Sequence, residues 1–204
     1  MRTTDEIRQD ILALVKEYSE SEQRETKPFY PGKRIPYCSR VYDVEERTNL
    51  VESALEFWLT AGRFCDEFER NFSRFLGVEH VALVNSGSSA NLLAFMTLTS
   101  PLLKERALQR GDEVICVAAA FPTSVSPIVQ FGAVPVFVDV CLGTYNIDVS
   151  KLEEARSEKT KCVFLAHSLG NPFDLAAVKA FCDKYNLWLI EDNCDALGAE
   201  YDMG

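Results

Sequence analysis

Apolar residues in the first part of the chain recur with helical spacing. In residues 5–18 they lie three and four positions apart, which predicts an amphipathic helix that needs a partner surface. Residues 19–40 are polar and interrupted by prolines, and they predict an extended arm. Asp43, with Glu46 three positions later, predicts a capped helix. A stripe of phenylalanines before Gly77 predicts another helix that ends at this glycine and packs its stripe into the core.

A different rhythm follows, in which short apolar runs alternate with helical segments. The runs predict strands at 81–85, 113–117, 135–138, 161–165 and 187–190. The intervening segments predict helices at 88–98 and 102–109, through Ile128, to Ala155 behind Asp148 or Ser150, and at 175–184 behind Asp174. Apolar strands alternating with helices are typical of an α/β fold, a mostly parallel sheet with helices on both faces.

Four strand-to-helix loops are expected to meet at one edge of this sheet. Right-handed crossovers place such loops at the carboxyl ends of the strands, where open α/β sheets bind their ligands. The loops are 86–89, 120–123, 166–171 and 191–195. We therefore expect a ligand site that draws residues from all four.

The first of these loops, Asn85-Ser86-Gly87-Ser88-Ser89, has the residue types of a phosphate cradle. Small residues let an anion approach the backbone, and the first N–H groups of the following helix point toward it. The same residues are also typical of an ordinary turn with a serine N-cap. A nucleotide cradle of the Walker or G-x-G-x-x-G type is disfavoured, because neither pattern is present.

The other loops supply an aromatic ring at Phe121 and an acidic pair at Glu191 and Asp192. Each has an ordinary interpretation, since Phe121 can simply pack and the acids can be solvated or cap a helix. His80 and His167 are interpreted as ordinary hydrogen-bonded histidines. Together, a phosphate cradle, a flat ring and an acid facing a cationic ring nitrogen fit pyridoxal phosphate, whose pyridine nitrogen must stay protonated for the ring to act as an electron sink.

Composition narrows the choice of partners. The 204 residues are enough for one large domain, and the net charge of −10 argues against a nucleic-acid or anionic-membrane partner. No apolar run reaches the length of a membrane span, and the N-terminus lacks a signal-peptide core, so a cytoplasmic protein is expected. The seven cysteines are scattered without a C-x-x-C pair, and most are expected to be buried free thiols.

From about residue 45 onward the chain resembles the sugar aminotransferases of the pyridoxal-phosphate-dependent aspartate-aminotransferase fold. The resemblance is carried by the segments Asn85–Ala90, Phe121–Thr123, Gly132–Asp139 and Glu191–Gly198. It implies that Ser88 with the adjoining Gly87 and Ser89 holds the cofactor phosphate. It also implies that Phe121 stacks on the cofactor ring and that Asp192 pairs with the pyridine nitrogen. The resemblance further implies the large domain of that fold, present in part, and a homodimer.

A closer resemblance is to the hexulose 3-dehydrase branch, which acts on a CDP-linked 4-keto-6-deoxyhexose in lipopolysaccharide synthesis. It is carried by the front-end segments 35–37, 40–43 and 57–60 and by Glu-Asp-Asn-Cys-Asp-Ala at 191–196. This branch implies the pyridoxamine form of the cofactor, a histidine in place of the Schiff-base lysine, and loss of the sugar 3-hydroxyl. It implies that Cys194 is a ligand of a [2Fe-2S] cluster, although a buried thiol beside the cofactor is the alternative.

The same branch implies an NADH-dependent iron–sulfur flavin reductase as electron donor. Asp195, where aminotransferases carry Gln, is expected to contact the cofactor ring oxygen or to help reject transamination. The Lys or His base, the other cluster cysteines and the small domain are expected after Gly204, so no catalytic residue is assigned within the chain.

We therefore expect an N-terminal part of the enzyme without turnover of its own. Residues 1–45 would form a helix and arm, and residues 46–204 the first part of the cofactor-binding domain. Two alternatives stay open: part of a sugar aminotransferase with a Schiff-base lysine, and a truncated, non-catalytic chain.

Overall fold

The structure, a computed structural model, describes residues 1–25, 29–36 and 40–202. The chain divides into two units, Met1–Leu83 and Val84–Gly204, and each is described by itself. The division predicted after residue 45 stays a prediction. Within the described ranges, no helix is long and apolar enough to cross a membrane.

The described residues of the first unit form the helices α1 (Thr4–Glu25), α2 (Val44–Glu56) and α3 (Arg63–Leu76). Helix α1 finds its partner surface in α2, where an Arg8–Glu52 ion pair of 2.6 Å accompanies the apolar contacts. The arm predicted from residue 19 is wrong up to Glu25, because the helix continues through this polar stretch. Its Glu, Gln and Arg residues are strong helix formers, which outweighs the absence of an apolar stripe. Residues 26–28 and 37–39, including Cys38, lie outside the described residues.

Helix α2 begins with the predicted capping box. The Asp43 side chain accepts the Glu45 N–H at 2.7 Å, and the Glu46 carboxylate accepts the Asp43 N–H at 2.7 Å. Helix α3 ends, as predicted, at Gly77, whose φ of 67° is left-handed. The core role predicted for its phenylalanines is wrong in the structure, since no residue of α3 is buried. The rings stack instead on one another along the helix, with the Phe68 and Phe72 centroids 5.2 Å apart.

The second unit is built on a four-stranded sheet, and this confirms the predicted parallel α/β architecture. Its strands are β1 (Glu113–Val117), β2 (Val134–Val138), β3 (Thr160–Ala166) and β4 (Trp188–Asp192), in the order β2-β1-β3-β4. All three pairings are parallel. The central strands are apolar and almost wholly buried because helices cover both of their faces.

The helices of this unit are α4 (Gly87–Thr97), α5 (Ser126–Phe131), α6 (Leu152–Ala155) and α7 (Leu175–Tyr185). Short 3₁₀ turns at Pro101–Arg106, Pro122–Ser124, Val149–Lys151 and Ser168–Gly170 complete the connections. Asp174 caps α7 as predicted, since its side chain accepts the Ala177 N–H at 3.0 Å. Gly132, with φ 91°, ends α5 as predicted.

Two further predicted elements differ from the structure. Residues 81–84 form no strand, because none of the strands in the described part of the chain pairs with them, and an apolar run becomes a strand only beside another. The Leu83 N–H is satisfied by the Glu69 side chain at 2.8 Å. The helix predicted at 102–109 is the 3₁₀ turn Pro101–Arg106, which is kinked at Lys104 (φ 53°, ψ −123°).

Candidate functional site

A cavity of about 640 Å³ opens at the carboxyl ends of β1, β3 and β4, beside the start of α4. All four predicted loops contribute to its lining, which confirms that they meet at one edge of the sheet. The lining residues are Gly87, Ser88, Asn91, Ala118, Ala119, Ala120, Phe121, Thr123, Tyr145, Ala166, His167, Ser168, Leu169, Asp192, Cys194 and Asp195. Its volume suits a small ligand or cofactor.

The start of α4 forms one end of the cavity. The Ser86 hydroxyl caps the helix by accepting the Ser89 N–H at 3.2 Å. Gly87 and Ser88 line the cavity from the first turn, where a helix offers N–H donors without helical partners. The Ser89 hydroxyl is turned away, because it donates to Asn85 Oδ1 at 2.7 Å. An anion at this end would therefore meet Gly87 and Ser88 first.

The Asp192 carboxylate, at the end of β4, faces hydrogen-bond donors on both oxygens. Asn91 Nδ2 donates to Oδ2 at 2.7 Å, and the Ser124 hydroxyl donates to the same oxygen at 3.3 Å. The Cys194 N–H donates to Oδ1 at 3.0 Å. Donors to a carboxylate form the stronger, charge-assisted class of hydrogen bond, so the group is held in one orientation.

Sequence reasoning missed Asn91 and Ser124, the two side chains that hold Asp192. One signal for Asn91 was present, since it is a polar residue among apolar neighbours in a helix otherwise rich in Leu and Ala. It is 7% exposed, and a buried amide requires hydrogen-bond partners. No comparable signal marks Ser124.

Phe121 brings an aromatic ring to the cavity. It precedes the 3₁₀ turn Pro122–Ser124, whose proline suits the first helical position. The ring is 70% exposed, so it is not packed into the core as the ordinary interpretation of this residue would have it. A ring on the lining of a cavity is available to stack on a flat ligand.

His167 is a buried wall of the cavity, and its partners agree with its interpretation as an ordinary hydrogen-bonded histidine. Its Nδ1 accepts the Phe173 N–H at 3.3 Å, and its Nε2 lies 3.1 Å from Glu191 Oε2. The Phe173 ring stacks on the imidazole at 4.2 Å between centroids. These contacts place the ring proton on Nε2, from which it is donated to Glu191.

The cysteines that the structure describes differ in exposure, with Cys65 half-buried and Cys141 on the surface. Cys116, Cys162 and Cys182 are buried, as expected for structural thiols, and burial raises the pKa of the Cys116 and Cys182 thiols to about 12. Cys194 is exposed at the cavity, where partial desolvation and the charges of Asp192 and Asp195 raise the pKa of its thiol.

An iron–sulfur cluster needs several thiolates, and Cys194 is the one that the resemblance assigns to it in this chain. No group of three or more metal-ligating side chains occurs among the residues that the structure describes. Those residues therefore do not form a cluster site by themselves. A pyridoxal-type cofactor fits better, because the cavity joins an anion-binding helix end, an exposed ring and a fixed carboxylate.

Residues 41–203 match the DegT/DnrJ/EryC1/StrS aminotransferase family. The chain belongs to this family. This confirms the resemblance to the sugar aminotransferases, and the DegT/DnrJ/EryC1/StrS match covers the whole cavity. The proteins that the chain resembles include a 3-dehydratase and an aminotransferase.

The lipopolysaccharide biosynthesis protein RfbH of Salmonella typhimurium is 52% identical to this chain over 201 residues. The match covers 98% of the chain and 46% of RfbH. The dTDP-4-dehydro-2,6-dideoxy-D-glucose 3-dehydratase of Saccharopolyspora spinosa is 47% identical over 192 residues, covering 94% of the chain and 41% of that enzyme. The chain thus spans less than half the length of these curated relatives.

Solved structures of related proteins share the fold. The Escherichia coli GDP-4-keto-6-deoxy-D-mannose-3-dehydratase with bound hydrated PLP gives a TM-score of 0.74 at 32% identity, covering 83% of this chain and 43% of that one. An aminotransferase from Psychrobacter cryohalolentis gives a TM-score of 0.69 at 30% identity, covering 85% and 41%. These likenesses confirm the predicted fold, and the chain covers less than half of each solved chain.

Proposed function

We propose that the chain is the N-terminal part of a pyridoxamine-phosphate-dependent 3-dehydratase acting on a CDP-linked 4-keto-6-deoxyhexose. The observation that carries this proposal is the Asp192 carboxylate, held by three donors in a cavity that also contains a helix N-terminus and an exposed phenylalanine ring. The likeness to a 3-dehydratase at 47% identity supports the choice of dehydration over amine transfer. The likeness to RfbH at 52% supports a role in lipopolysaccharide biosynthesis.

Different residues of the cavity would bind different parts of the cofactor. Gly87 and Ser88 would take its phosphate on the first turn of α4, with Ser89 nearby in the same turn. Phe121 would stack on the ring, and the Asp192 carboxylate would accept a hydrogen bond from the protonated pyridine nitrogen, which keeps the proton on that nitrogen. When bound in this way, the cofactor supplies an electron sink for bond cleavage at the sugar.

The remaining residues shape the site around that ring. Asp195 lines the cavity and would contact the ring oxygen of the cofactor. Aminotransferases carry a neutral Gln at this position, whereas Asp195 brings a charged carboxylate. His167 and its partners form a fixed wall. The proton-transferring base is proposed to lie in sequence that follows residue 204, so no residue of this chain is assigned that step.

Several finer expectations belong to the same proposal. They are the [2Fe-2S] cluster with Cys194 as one ligand, the NADH-dependent iron–sulfur flavin reductase, a homodimer, and a role in 3,6-dideoxyhexose and O-antigen synthesis. A cytoplasmic location is proposed because the buried cysteines are free thiols, which a reducing compartment preserves.

A second candidate is a nucleotide-sugar aminotransferase. It is favoured by the GDP-perosamine synthase of Vibrio cholerae, which is 33% identical over 165 residues. The two candidates differ in product, because the dehydratase removes the 3-hydroxyl whereas the aminotransferase adds an amino group. The reaction product therefore separates them.

The test uses the full-length protein, meaning this chain with the sequence that follows it in its reading frame. With pyridoxamine phosphate, NADH, the iron–sulfur flavin reductase and the CDP-linked 4-keto-6-deoxyhexose, we expect a 3-deoxy sugar as the product. The 3-hydroxyl leaves as water, and the two electrons come from NADH through the reductase. Asp192→Asn should lower this rate by about 10²–10³-fold, because a neutral amide cannot balance the pyridinium charge.

Asp183→Asn is the control, since Asp183 pairs with Lys179 on the exposed side of α7. It should leave the rate unchanged. An unaltered rate in Asp192→Asn would refute the assigned role, and an amino sugar formed with an amine donor would favour the aminotransferase.

A further inference from the structure

We propose that Asn91 is a positioning residue, which orients the Asp192 carboxylate for the ring nitrogen of the cofactor. This inference rests on the proposed function of the cavity. Asn91 is not among the site residues predicted from the sequence. A positioning role explains why a polar side chain occupies a buried position of α4.

The contacts of Asn91 are directed at the site. Its Nδ2 donates to Asp192 Oδ2 at 2.7 Å and lies 3.3 Å from Thr123 Oγ1. An amide nitrogen donates and does not accept, so the Asp192 oxygen that it contacts serves as an acceptor. Asn91 is only 7% exposed, so few water molecules can take the place of the Asp192 oxygen as acceptor for the Asn91 amide.

The three donors fix the carboxylate in rotation as well as in position. Asn91 and Ser124 bind Oδ2, and the Cys194 N–H binds Oδ1, so neither oxygen is free to turn. The Ser124 hydroxyl is a free rotor at a longer distance, 3.3 Å. The planar amide of Asn91 is therefore the side chain that sets the direction. A site group held in its productive orientation does not have to be ordered when the ligand arrives.

Helix α4 links this contact to the proposed phosphate end. Gly87 and Ser88 precede Asn91 by four and three residues, and residues with these spacings share one helix face. All three line the cavity. One rigid helix therefore sets the separation between the phosphate donors and the carboxylate that would meet the other end of the ring.

The test measures pyridoxamine phosphate bound to the full-length protein, in wild type and in two variants. Asn91→Leu removes the amide in a similar volume, and Asn91→Asp keeps the shape but sets a second carboxylate against Asp192. We expect the Kd for pyridoxamine phosphate to rise about tenfold in Asn91→Leu, as for loss of one hydrogen bond to a charged group, and further in Asn91→Asp.

The second readout is the ¹⁵N chemical shift of ring-labelled pyridoxamine phosphate, which reports whether the ring nitrogen carries a proton. In Asn91→Leu it should move toward the unprotonated value, because Asp192 becomes more basic without its amide donor, and a merely structural role would not cause this shift. Thr160→Val is the matched control, because it removes a buried hydroxyl bonded to Glu113 at the opposite end of the sheet. It should leave the Kd and the shift as in wild type.

The outcomes separate this inference from the function on which it rests. If wild type binds pyridoxamine phosphate and both Asn91 variants keep its Kd and ring-nitrogen shift, the positioning role is refuted and the cofactor site stands. If wild type shows no binding, the proposed function fails and the role of Asn91 fails with it.

Discussion

His167 Nε2 lies 3.1 Å from the Glu191 carboxylate, so the residue after β3 is joined to β4 by a side-chain contact. The backbone reinforces this link, because the His167 N–H donates to the Asp192 carbonyl at 3.2 Å. The side chain of His167 is 5% exposed. The cavity wall is thus tied to the strand that carries the proposed ring-nitrogen partner.

Replacing His167 should destabilise the second unit. His167→Ala removes two hydrogen bonds and the stacking contact with Phe173, and it leaves a buried gap. We expect the free energy of unfolding to fall by about 2–4 kcal/mol, measured by urea denaturation. His80→Ala is the control, because the His80 side chain is exposed and its ring lies 3.7 Å from the equally exposed Glu79 carboxylate. It should change stability by less than about 0.5 kcal/mol. Equal effects of the two changes would contradict the structural role of His167.

Glu153 should contribute to acid sensitivity. Hydrogen bonds from Lys184 at 2.8 Å and Tyr185 at 2.6 Å lower the pKa of its carboxyl in the folded chain below the ordinary 4.5. Its stabilising contribution is therefore present above the unfolded pKa and is lost as pH falls through the folded pKa. Glu153→Gln should flatten the stability profile below about pH 4.5, as followed by thermal unfolding.

The adjacent Glu154 provides the comparison, since it is more exposed and lies 3.7 Å from Lys151. Glu154→Gln should leave the acid limb of the stability profile close to that of wild type. If stability below about pH 4.5 falls equally in Glu153→Gln and in wild type, the contacts of Glu153 with Lys184 and Tyr185 do not stabilise the folded chain.

The thiols should differ sharply in reactivity. At pH 8 a thiol with a pKa of about 12 is a thiolate in about one molecule in ten thousand, so the buried Cys116 and Cys182 should resist iodoacetamide in the native protein. The exposed Cys141 and Cys194 should be labelled first. Mass spectrometry of digests resolves the sites, and labelling in urea supplies the fully reactive reference. Native labelling of Cys116 at the rate of Cys141 would contradict this burial.

Local sequence signals located most of the second unit. The run Glu113–Val117 is apolar and bounded by a turn, and it forms β1 with the predicted ends. Asp43 and Asp174 were recognisable as caps, because a side-chain oxygen beside free N–H groups acts within one turn. The strand predicted at 81–85 is wrong because a strand, unlike a cap, depends on a neighbouring strand that is distant in sequence. The apolar run itself does not specify that neighbour.

The candidate site shows the same limit. Its loops were predictable as a group because crossover handedness places them at one sheet edge, and Phe121 and Asp192 were therefore expected together. Asn91 contacts Asp192 across 101 positions, and that contact depends on how α4 packs against the end of β4. Nothing local in the sequence reports that packing. The direction of the Ser89 hydroxyl, toward Asn85, is likewise set by three-dimensional geometry.

The strand order β2-β1-β3-β4 also implies a sequence of assembly. On a ribosome the chain emerges from its N-terminus, so β1 and β2 can pair first and β3 can then add to the open side of β1. Strand β4 joins last, and Asp192 arrives with it. Until then Asn91 and Ser124 lack the carboxylate that they bind, so the pairing of β4 with β3 and the ordering of the Asp192 contacts are one event in the life of the nascent chain.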